Sequence, residues 1–325
     1  MLFRSLVAAA ALLTAAPVGA QDGALPVVAI PGPSEGQLIQ NAASVFAGET
    51  NEERRDALVR LLRVHGLDPA VQAFDGGNQR TGPMAGSNVV VTLGDGPKDI
   101  VLTAHYDAVK LRDGSMSQGI VDNAGSVLAM IEAMKALKGQ STAHRLIFVL
   151  TDQEELGLIG AKAWLDAHDK TRIHAVINAD VAAYGRTVMY GENNGAQSGF
   201  VLTALRSQCA EQGVDCVAFP VYPPSDDRVF SAAGVPVVSL GTQDAVGAHQ
   251  MWLAFNGGEE NGLKEGFVPP VFQRIHSPED KLSYLNGEDV ARFGRFLADL
   301  GLALDRRLVE SQAADAALKA ETEVQ

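Results

Sequence analysis

The chain has 325 residues, of which 46% are hydrophobic and 20% are charged, a composition typical of a folded globular enzyme rather than a disordered chain. Its formal net charge is −13, from 39 acidic and 26 basic residues, and the basic residues form no cluster that could follow a phosphate backbone. We therefore expect no nucleic-acid partner.

The first 20 residues have the features of a secretory signal peptide. Arg4 provides the positive start, residues 6–16 are apolar, and Val18 and Ala20 satisfy the small-residue rule for cleavage. We expect a mature chain that begins at Gln21 and lies in the periplasm or outside the cell. The apolar run is too short to span a bilayer, and no later segment is long enough, so no membrane anchor is expected after signal removal.

The mature chain is predicted to contain one catalytic domain. A leader is expected at residues 21–36, the domain at 37–310 and a tail at 311–325. Helical periodicity extends over residues 37–65, and a strand is predicted at 70–74.

Three apolar, β-rich runs follow at residues 88–93, 100–104 and 146–150. The last two do not alternate between apolar and polar positions, which is typical of strands covered on both faces. An amphipathic helix is predicted between them at residues 125–137. This order predicts an α/β protein, a three-layer sandwich with a mixed, mostly parallel central sheet covered by helices.

The same alternation continues to the end of the domain. The remaining predicted elements are helices at 160–168, 199–211 and 289–304 and strands at 175–178, 217–221 and 235–240. Residues 245–271 are longer than an ordinary connection and are predicted to form an active-site loop. Cys209 and Cys216 are the two cysteines, across a predicted helix-to-strand turn. Two buried free thiols fit this placement, as does a disulfide, which export permits and which we prefer.

Acidic residues and histidines follow several predicted strands, and open α/β sheets place their sites at such strand ends. The residues are His105, Asp107, Asp122, Glu154, Glu155 and Asp180. Each has an ordinary structural alternative. His105 could be a loop histidine bonded to Asp107, Asp122 could be the N-cap of the next helix, and the acids after residue 150 could form a solvated turn.

Together with His276, these residues supply the nitrogen and oxygen ligands that zinc prefers. Asp152, Glu154 and Glu155 would repel one another unless cations neutralised them. One acid is available to bridge two ions roughly 3.5 to 4 Å apart, and such sites activate water. The residues therefore favour a metal-dependent hydrolase.

Five motifs stand in one order along the chain: H-Y-D at 105–107, D-N at 122–123, E-E at 154–155, N-x-D at 178–180 and H-S-P at 276–278. In these motifs the chain resembles the secreted two-zinc aminopeptidase family, which also contains glutamate carboxypeptidase II and the glutaminyl cyclases. The resemblance covers about Asn88 to Tyr284. It implies a zinc-exopeptidase fold, related to the phosphorylase/hydrolase type, and hydrolysis of N-terminal residues from peptides.

The resemblance also implies the metal ligands. Asp122 would bridge two zinc ions. Glu155 and His276 would complete one site, and His105 and Asp180 would complete the other.

Two further roles follow from the same motifs. Glu154 would be the general base, which takes a proton from water and delivers it to the leaving amine. Asp107 would orient the imidazole of His105 without itself binding the metal.

The match to the family's motif is weaker at the substrate-binding residues. Ser225 and Asp226 resemble the family's S-D-H element, preceded by Tyr222, and these three residues would bind substrate. Asp227 replaces the common histidine of that element, and Val121 stands where many relatives have a second acid. Neither departure removes a proposed ligand.

An aminopeptidase is preferred over a carboxypeptidase or dipeptidase because no arginine cluster is placed to hold a substrate carboxylate. A glutaminyl cyclase would use a single zinc ion and would cyclise its substrate rather than hydrolyse it. A non-catalytic binding domain of the same fold is the alternative outside the enzymes. A peptide is the expected partner.

Overall fold

The computed structural model describes residues 32–46 and 48–323, with side chains up to residue 314. The predicted signal peptide at 1–20, and all but the end of the predicted leader at 21–36, lie outside this part of the chain. Within the described residues, no helix combines the length and the apolar character needed to cross a membrane.

One mixed sheet runs through the described chain. Its strands are β1 (Ala70–Asn78), β2 (Gly82–Leu93), β3 (Asp99–His105), β4 (Arg145–Thr151), β5 (Ile173–Ala179), β6 (Thr187–Gly191), β7 (Cys216–Phe219) and β8 (Val237–Gln243). They lie side by side in the order β1-β2-β4-β3-β5-β8-β6-β7. The neighbours β4, β3, β5 and β8 are parallel, whereas β2 and β6 pair antiparallel with β4 and β8. The predicted mixed α/β sheet is confirmed.

Helices cover both faces of this sheet. They are α1 (Glu35–Ala43), α2 (Asn51–Val64), α3 (Gly125–Leu137), α4 (Ile159–Ala167), α5 (Gly199–Gln212), α6 (Asp227–Ala232), α7 (Ala245–Asn256), α8 (Pro270–Arg274) and α9 (Gly287–Glu323). Apolar residues of α1, α2, α3, α5 and α9 join one core, and those of α4 and α6 join another.

Successive residues of the central strands enter opposite cores. In β3, Val101 packs with α4 and α6, whereas Ile100 and Leu102 pack on the other face. All seven residues of β3 are buried, which explains why the sequence of this strand does not alternate. Each fully buried aliphatic side chain contributes about 1.5–3 kcal/mol.

The predicted helical segment 37–65 is two helices rather than one. Ser34 caps α1 and Thr50 caps α2, and each forms a capping box with the residue three positions later, Gln37 and Glu53. A capping box starts a helix because it satisfies backbone N–H groups that lack an intrahelical partner. The second box therefore starts a new helix at Asn51, after α1 ends at Ala43.

The predicted loop at 245–271 begins with α7, so the description of that segment as a loop is wrong in its first half. The Asp244 carboxylate accepts a hydrogen bond from the backbone N–H of Gly247 at 2.9 Å and caps α7. Three short elements, β6, α6 and α8, were not predicted. At the other end of the domain, α9 continues to Glu323, through most of the predicted tail at 311–325.

The predicted disulfide between Cys209 and Cys216 is present. It joins the last turn of α5 to the first residue of β7. The alternative of two free thiols is therefore wrong.

The hairpin of β1 and β2 extends beyond the rest of the sheet. Residues 89–93 of β2 pair with β4, whereas residues 82–88 pair with β1 alone. Its tip reaches the turn after β4, where Asn78 Nδ2 donates to the Leu156 carbonyl at 2.7 Å and Arg80 Nη2 donates to the Glu155 carbonyl at 3.1 Å.

Candidate metal centre

Three parallel strands end at one edge of the sheet and bring the predicted site residues together. His105 is the last residue of β3, Glu154 and Glu155 lie in the turn after β4, and Asp180 directly follows β5. A Cβ atom at Gly241 of β8 would lie 2.1 Å from the Asp180 carbonyl oxygen, so glycine lets the two chains run this close.

The Asp122 carboxylate lies between the two predicted imidazole ligands. Its Oδ1 is 3.0 Å from His105 Nε2, and its Oδ2 is 3.1 Å from His276 Nε2. Asp122 does not cap α3, which has no side-chain cap hydrogen bond. The alternative interpretation of Asp122 as an N-cap is therefore wrong, because its two oxygens face the histidines.

The remaining predicted ligands fall into two groups around Asp122. Side-chain ligand atoms of His105, Glu154 and Asp180 lie within 4.8 Å of one another, and so do those of Asp122, Glu155 and His276. His276 Nε2 is 3.1 Å from Glu155 Oε2, and His105 Nε2 is 3.6 Å from Asp180 Oδ1. The structure thus brings together every residue that the motifs indicated as a ligand.

Asp107 supports both sides of this arrangement. Its Oδ1 lies 3.3 Å from His105 Nδ1. The same carboxylate accepts hydrogen bonds from the backbone N–H groups of Glu154 at 3.1 Å and Glu155 at 3.2 Å. The ring of His105 is therefore tied to the turn that carries the two glutamates.

Asp280 is a site residue that the sequence analysis missed. Its carboxylate accepts hydrogen bonds from the backbone N–H groups of Ile120, Val121 and Asp122 at 2.9, 2.6 and 3.1 Å. Asp280 therefore holds the turn that presents Asp122. The available signal was its position as the acidic residue four places after His276.

Burial and neighbouring charges shift the pKa values in this cluster. Burial raises the pKa of Glu154 well above its ordinary value, and nearby acids including Asp180 add to the effect. Burial also raises the pKa of Glu155. Burial opposes ionisation of Asp122, but its hydrogen bonds to His105 and His276 outweigh it and hold its pKa below the usual range.

The pKa values of the two histidines are raised as well, by the neighbouring carboxylates. The hydrogen bonds of His276 to Asp122 and Glu155 raise its pKa to about 10. Burial opposes protonation of His105, yet the charge of Glu154 and three neighbouring carboxylates raise its pKa well above the ordinary value. In the metal-free protein, protonated imidazoles thus act as the cations among the carboxylates.

The carboxylates and imidazoles of this cluster are suited to bind a cation. Glu155 Oε1 and Asp180 Oδ1 are buried without a hydrogen-bond partner among the described residues. An unsatisfied buried carboxylate oxygen is costly unless a cation or a donor meets it. Two imidazoles and several carboxylates are a ligand set suited to zinc, and Asp107 and Asp280 supply the outer contacts that orient such ligands.

A cavity of about 550 Å³ opens onto the cluster. Asp122, Glu154, Glu155, Asp180 and His276 line one side. The cavity also has an apolar wall, formed by Met189, Tyr222, Met251, Phe255, Val271, Phe272 and Ile275. Much of this wall comes from the ends of the segment predicted as an active-site loop, so that segment does line the site.

The three predicted substrate-binding residues lie in different places. Tyr222 lines the cavity. Ser225 and Asp226 are buried and are not among the residues that line it. Asp226 instead accepts a hydrogen bond from Thr151 Oγ1 at 2.5 Å, beneath the cluster, and burial raises its pKa to about 7. Asp227 accepts from the Ser225 backbone N–H at 2.9 Å.

Comparison with known proteins identifies a family to which the chain is similar. Residues 88–301 match the model of peptidase family M28. The chain is 24% identical over 204 residues to aminopeptidase YwaD of Bacillus subtilis, across 61% of this chain and 39% of YwaD. The alignment thus spans well under half of that relative.

Two solved structures illustrate the shared fold. The Legionella pneumophila LapA aminopeptidase is similar with a TM-score of 0.58 and 15% identity, over 83% of this chain and 70% of LapA. The Porphyromonas gingivalis glutaminyl cyclase is similar with a TM-score of 0.63 and 15% identity, over 82% of this chain and 96% of the cyclase. The family model covers more than half of the sequence, including His105, Asp122, both glutamates, Asp180 and His276, and the chain therefore belongs to peptidase family M28.

Proposed function

We propose that this protein is a zinc-dependent aminopeptidase that binds two zinc ions and removes N-terminal residues from peptides. The observation that carries the proposal is the position of Asp122, which presents one oxygen to each of two histidines. A carboxylate in this position suits a bridge between two ions. The similarity to an aminopeptidase of Bacillus subtilis supports the same activity.

Each ligand has a place in this proposal. Glu155 and His276 share one ion with Asp122, and His105 and Asp180 share the other. Zinc, when bound, acts as a Lewis acid that makes water a stronger nucleophile at neutral pH.

Glu154 is the proposed general base. It borders both the cavity and the cluster, and burial raises its pKa well above its ordinary value, which makes its carboxylate a stronger base toward a water proton. Its carboxylate takes a proton from the attacking water and then delivers that proton to the nitrogen of the leaving amine. Asp107 keeps Glu154 in place through the backbone N–H of that residue.

The cavity favours a substrate amine over a substrate carboxylate. Its polar side carries four carboxylates, and the described residues that line it include no lysine or arginine. The zinc ions of this proposal would neutralise the ligand carboxylates, but a substrate carboxylate would still find no guanidinium or ammonium partner among these residues. The apolar wall of Met251, Phe255 and Phe272 suits an apolar side chain on the N-terminal residue.

Export to the periplasm or the outside of the cell is part of the proposal. The signal-like sequence of residues 1–20 is its basis, and the disulfide between Cys209 and Cys216 supports it. Disulfides persist in oxidising compartments and are rare in the cytosol.

The test compares substrates that differ in their N-terminus. The zinc-loaded protein is given dipeptides and aminoacyl anilides with a free amine, the same compounds with an acetylated amine, and peptides that begin with glutamine. We expect release of the first residue from free amines alone, and loss of that release after chelation of zinc. Equal cleavage of acetylated substrates would indicate a carboxypeptidase or an endopeptidase. Ammonia release from N-terminal glutamine without hydrolysis would indicate a glutaminyl cyclase.

A further inference from the structure

Arg54 is a completely buried side chain of α2 that none of the motifs predicted. It lies outside residues 88–301, the part of the chain that matches the family model. Burial of a guanidinium is costly unless its N–H groups and its charge both find partners. The partners of Arg54 therefore indicate what the buried cation does.

All of its hydrogen bonds go to backbone carbonyl groups. Nε donates to Tyr106 at 2.7 Å, Nη1 donates to Gln118 at 2.8 Å, and Nη2 donates to Gly119 at 3.3 Å. Nη1 also donates to the carbonyl of Phe46. Among the described residues, no carboxylate accepts a hydrogen bond from Arg54.

These carbonyl groups belong to the two loops that carry facing site residues. Tyr106 stands between His105 and Asp107, whereas Gln118 and Gly119 lead into the turn that contains Asp122. Gly119 has a φ of +55°, and a Cβ atom there would lie 3.0 Å from Arg54 Nη2, so the loop runs directly along the guanidinium. One side chain thus joins the loop of His105 to the loop of Asp122.

A second contact from α2 supports the first loop. Asn51 Oδ1 accepts a hydrogen bond from the backbone N–H of Ala108 at 3.3 Å. The first turn of α2 therefore holds the segment after His105 at two points, Tyr106 and Ala108.

The charge of Arg54 also matters. Burial lowers its pKa to about 10, and the charges of Asp107, Asp280, Asp122 and Glu155 work against that lowering. The guanidinium consequently remains a cation at neutral pH. A fixed cation behind the carboxylates reduces their mutual repulsion without occupying the space where a metal would bind.

We propose that Arg54 is a positioning residue for the metal centre, which holds the loops at residues 106–108 and 118–122 at the separation that lets His105 and Asp122 bind zinc. The inference rests on the zinc site of the proposed function but is independent of which substrate is cleaved. Arginine is needed because only its planar fork reaches carbonyl groups on both loops while it keeps a permanent charge.

The test measures the zinc affinity of the full-length protein by competition with a chromogenic chelator. Arg54→Met removes the fork and the charge, and Arg54→Lys keeps the charge but loses the fork. We expect Arg54→Met to weaken zinc binding by about 10- to 100-fold, as loss of an outer contact to metal ligands does elsewhere, and Arg54→Lys to cause a smaller loss. The control is Leu58→Ala, one turn further along α2 and fully buried, which should lower thermal stability but leave zinc affinity unchanged.

A second readout is the visible spectrum of the cobalt-substituted protein, which reports ligand geometry. We expect both Arg54 variants to alter this spectrum and Leu58→Ala to leave it unaltered. The proposal would be overturned if both Arg54→Lys and Arg54→Met bound zinc with wild-type affinity. If Arg54→Met did not fold, wild-type zinc affinity in Arg54→Lys alone would overturn it. So would an equal loss of affinity in Leu58→Ala. A wild-type protein that binds zinc but cleaves no peptide would contradict the proposed function and leave the comparison of variants valid.

Discussion

Glu154 and Glu155 are neighbours in the chain, yet their carboxylates have different surroundings. Glu155 Oε2 lies 3.1 Å from His276 Nε2, whereas Glu154 groups with His105 and Asp180 beside the cavity. The backbone N–H groups of both residues donate to Asp107, which fixes the turn between them. The two adjacent glutamates therefore belong to different groups of the cluster, and the resemblance to the family assigns one as the base and the other as a ligand.

Substitution of each glutamate by glutamine tests this division. Glu154→Gln should retain bound zinc but lower turnover by about 10²- to 10⁴-fold, because it removes proton transfer without removing a ligand. Glu155→Gln, the matched control, should lose zinc affinity because it removes a ligand charge. Zinc content and kcat are measured for both variants. Near-normal turnover in Glu154→Gln, or zinc loss in both variants alike, would show that the assignment is wrong.

The motifs indicated the residues of the metal centre but not the residues that hold them. His105, Asp122, Glu155 and Asp180 were predictable because acids and histidines at strand ends form a recognisable pattern. Asp280 acts on backbone N–H groups 158–160 positions away. Its position four residues after His276 was the available signal, but the backbone groups that it contacts depend on the tertiary fold and could not be read from the sequence.

At the scale of elements, the buried central strands were the most predictable part of the fold. Strands β3, β4 and β5 are continuous apolar runs, and their bounds agree with the prediction to within two residues at each end. Helix α7 was missed because glycine, histidine and asparagine weaken its helical pattern, while the Asp244 cap and the apolar wall of the cavity stabilise it. The break between α1 and α2 was missed although the capping box at Thr50 marks it.

In the hairpin of β1 and β2, the two parts of β2 should differ in their local stability. A two-stranded ribbon is marginally stable, so amide hydrogens of residues 82–88 should exchange at least about 10-fold faster than those of residues 89–93, which pair with β4 in the body of the sheet. Asn78→Ala removes the bond to the Leu156 carbonyl and the bonds that Asn78 Oδ1 accepts from the backbone N–H groups of Arg80 and Thr81, and it should accelerate exchange in residues 80–88 but not in residues 89–93. Hydrogen-exchange mass spectrometry measures both, with Gln79→Ala as the control. Uniform protection along β2 would contradict this expectation.

At the scale of the whole molecule, Asp226 should make the stability of the metal-free protein depend on pH. Burial raises its pKa to about 7, above the value of roughly 3.9 expected in the unfolded chain. The folded protein therefore binds this proton more tightly than the unfolded chain does. Its contribution to the free energy of unfolding is complete below pH 4 and is lost as the pH rises toward 7. A shift of this size corresponds to at most roughly 4 kcal/mol.

Asp226→Asn tests this expectation because the amide stays neutral and can still accept a hydrogen bond from Thr151. Relative to the wild type, the variant should gain stability as the pH rises from about 4 to about 7 and should keep that advantage at pH 8. Urea unfolding in the presence of a chelator, repeated across this range, measures the difference. A difference that does not change with pH would refute the assignment.

The residues of the candidate metal centre enter the chain in an order that determines when this centre can form. The last strand of the sheet ends at Gln243, whereas His276 and Asp280 follow only after α7 and α8. A growing chain therefore contains the complete set of strands before it contains both imidazoles. The turn of Asp122 is held by Asp280, and α1 is held by Glu288 at the start of α9, through Ser34 and Gly36. Synthesis must consequently be nearly finished before the residues of the candidate metal centre can come together.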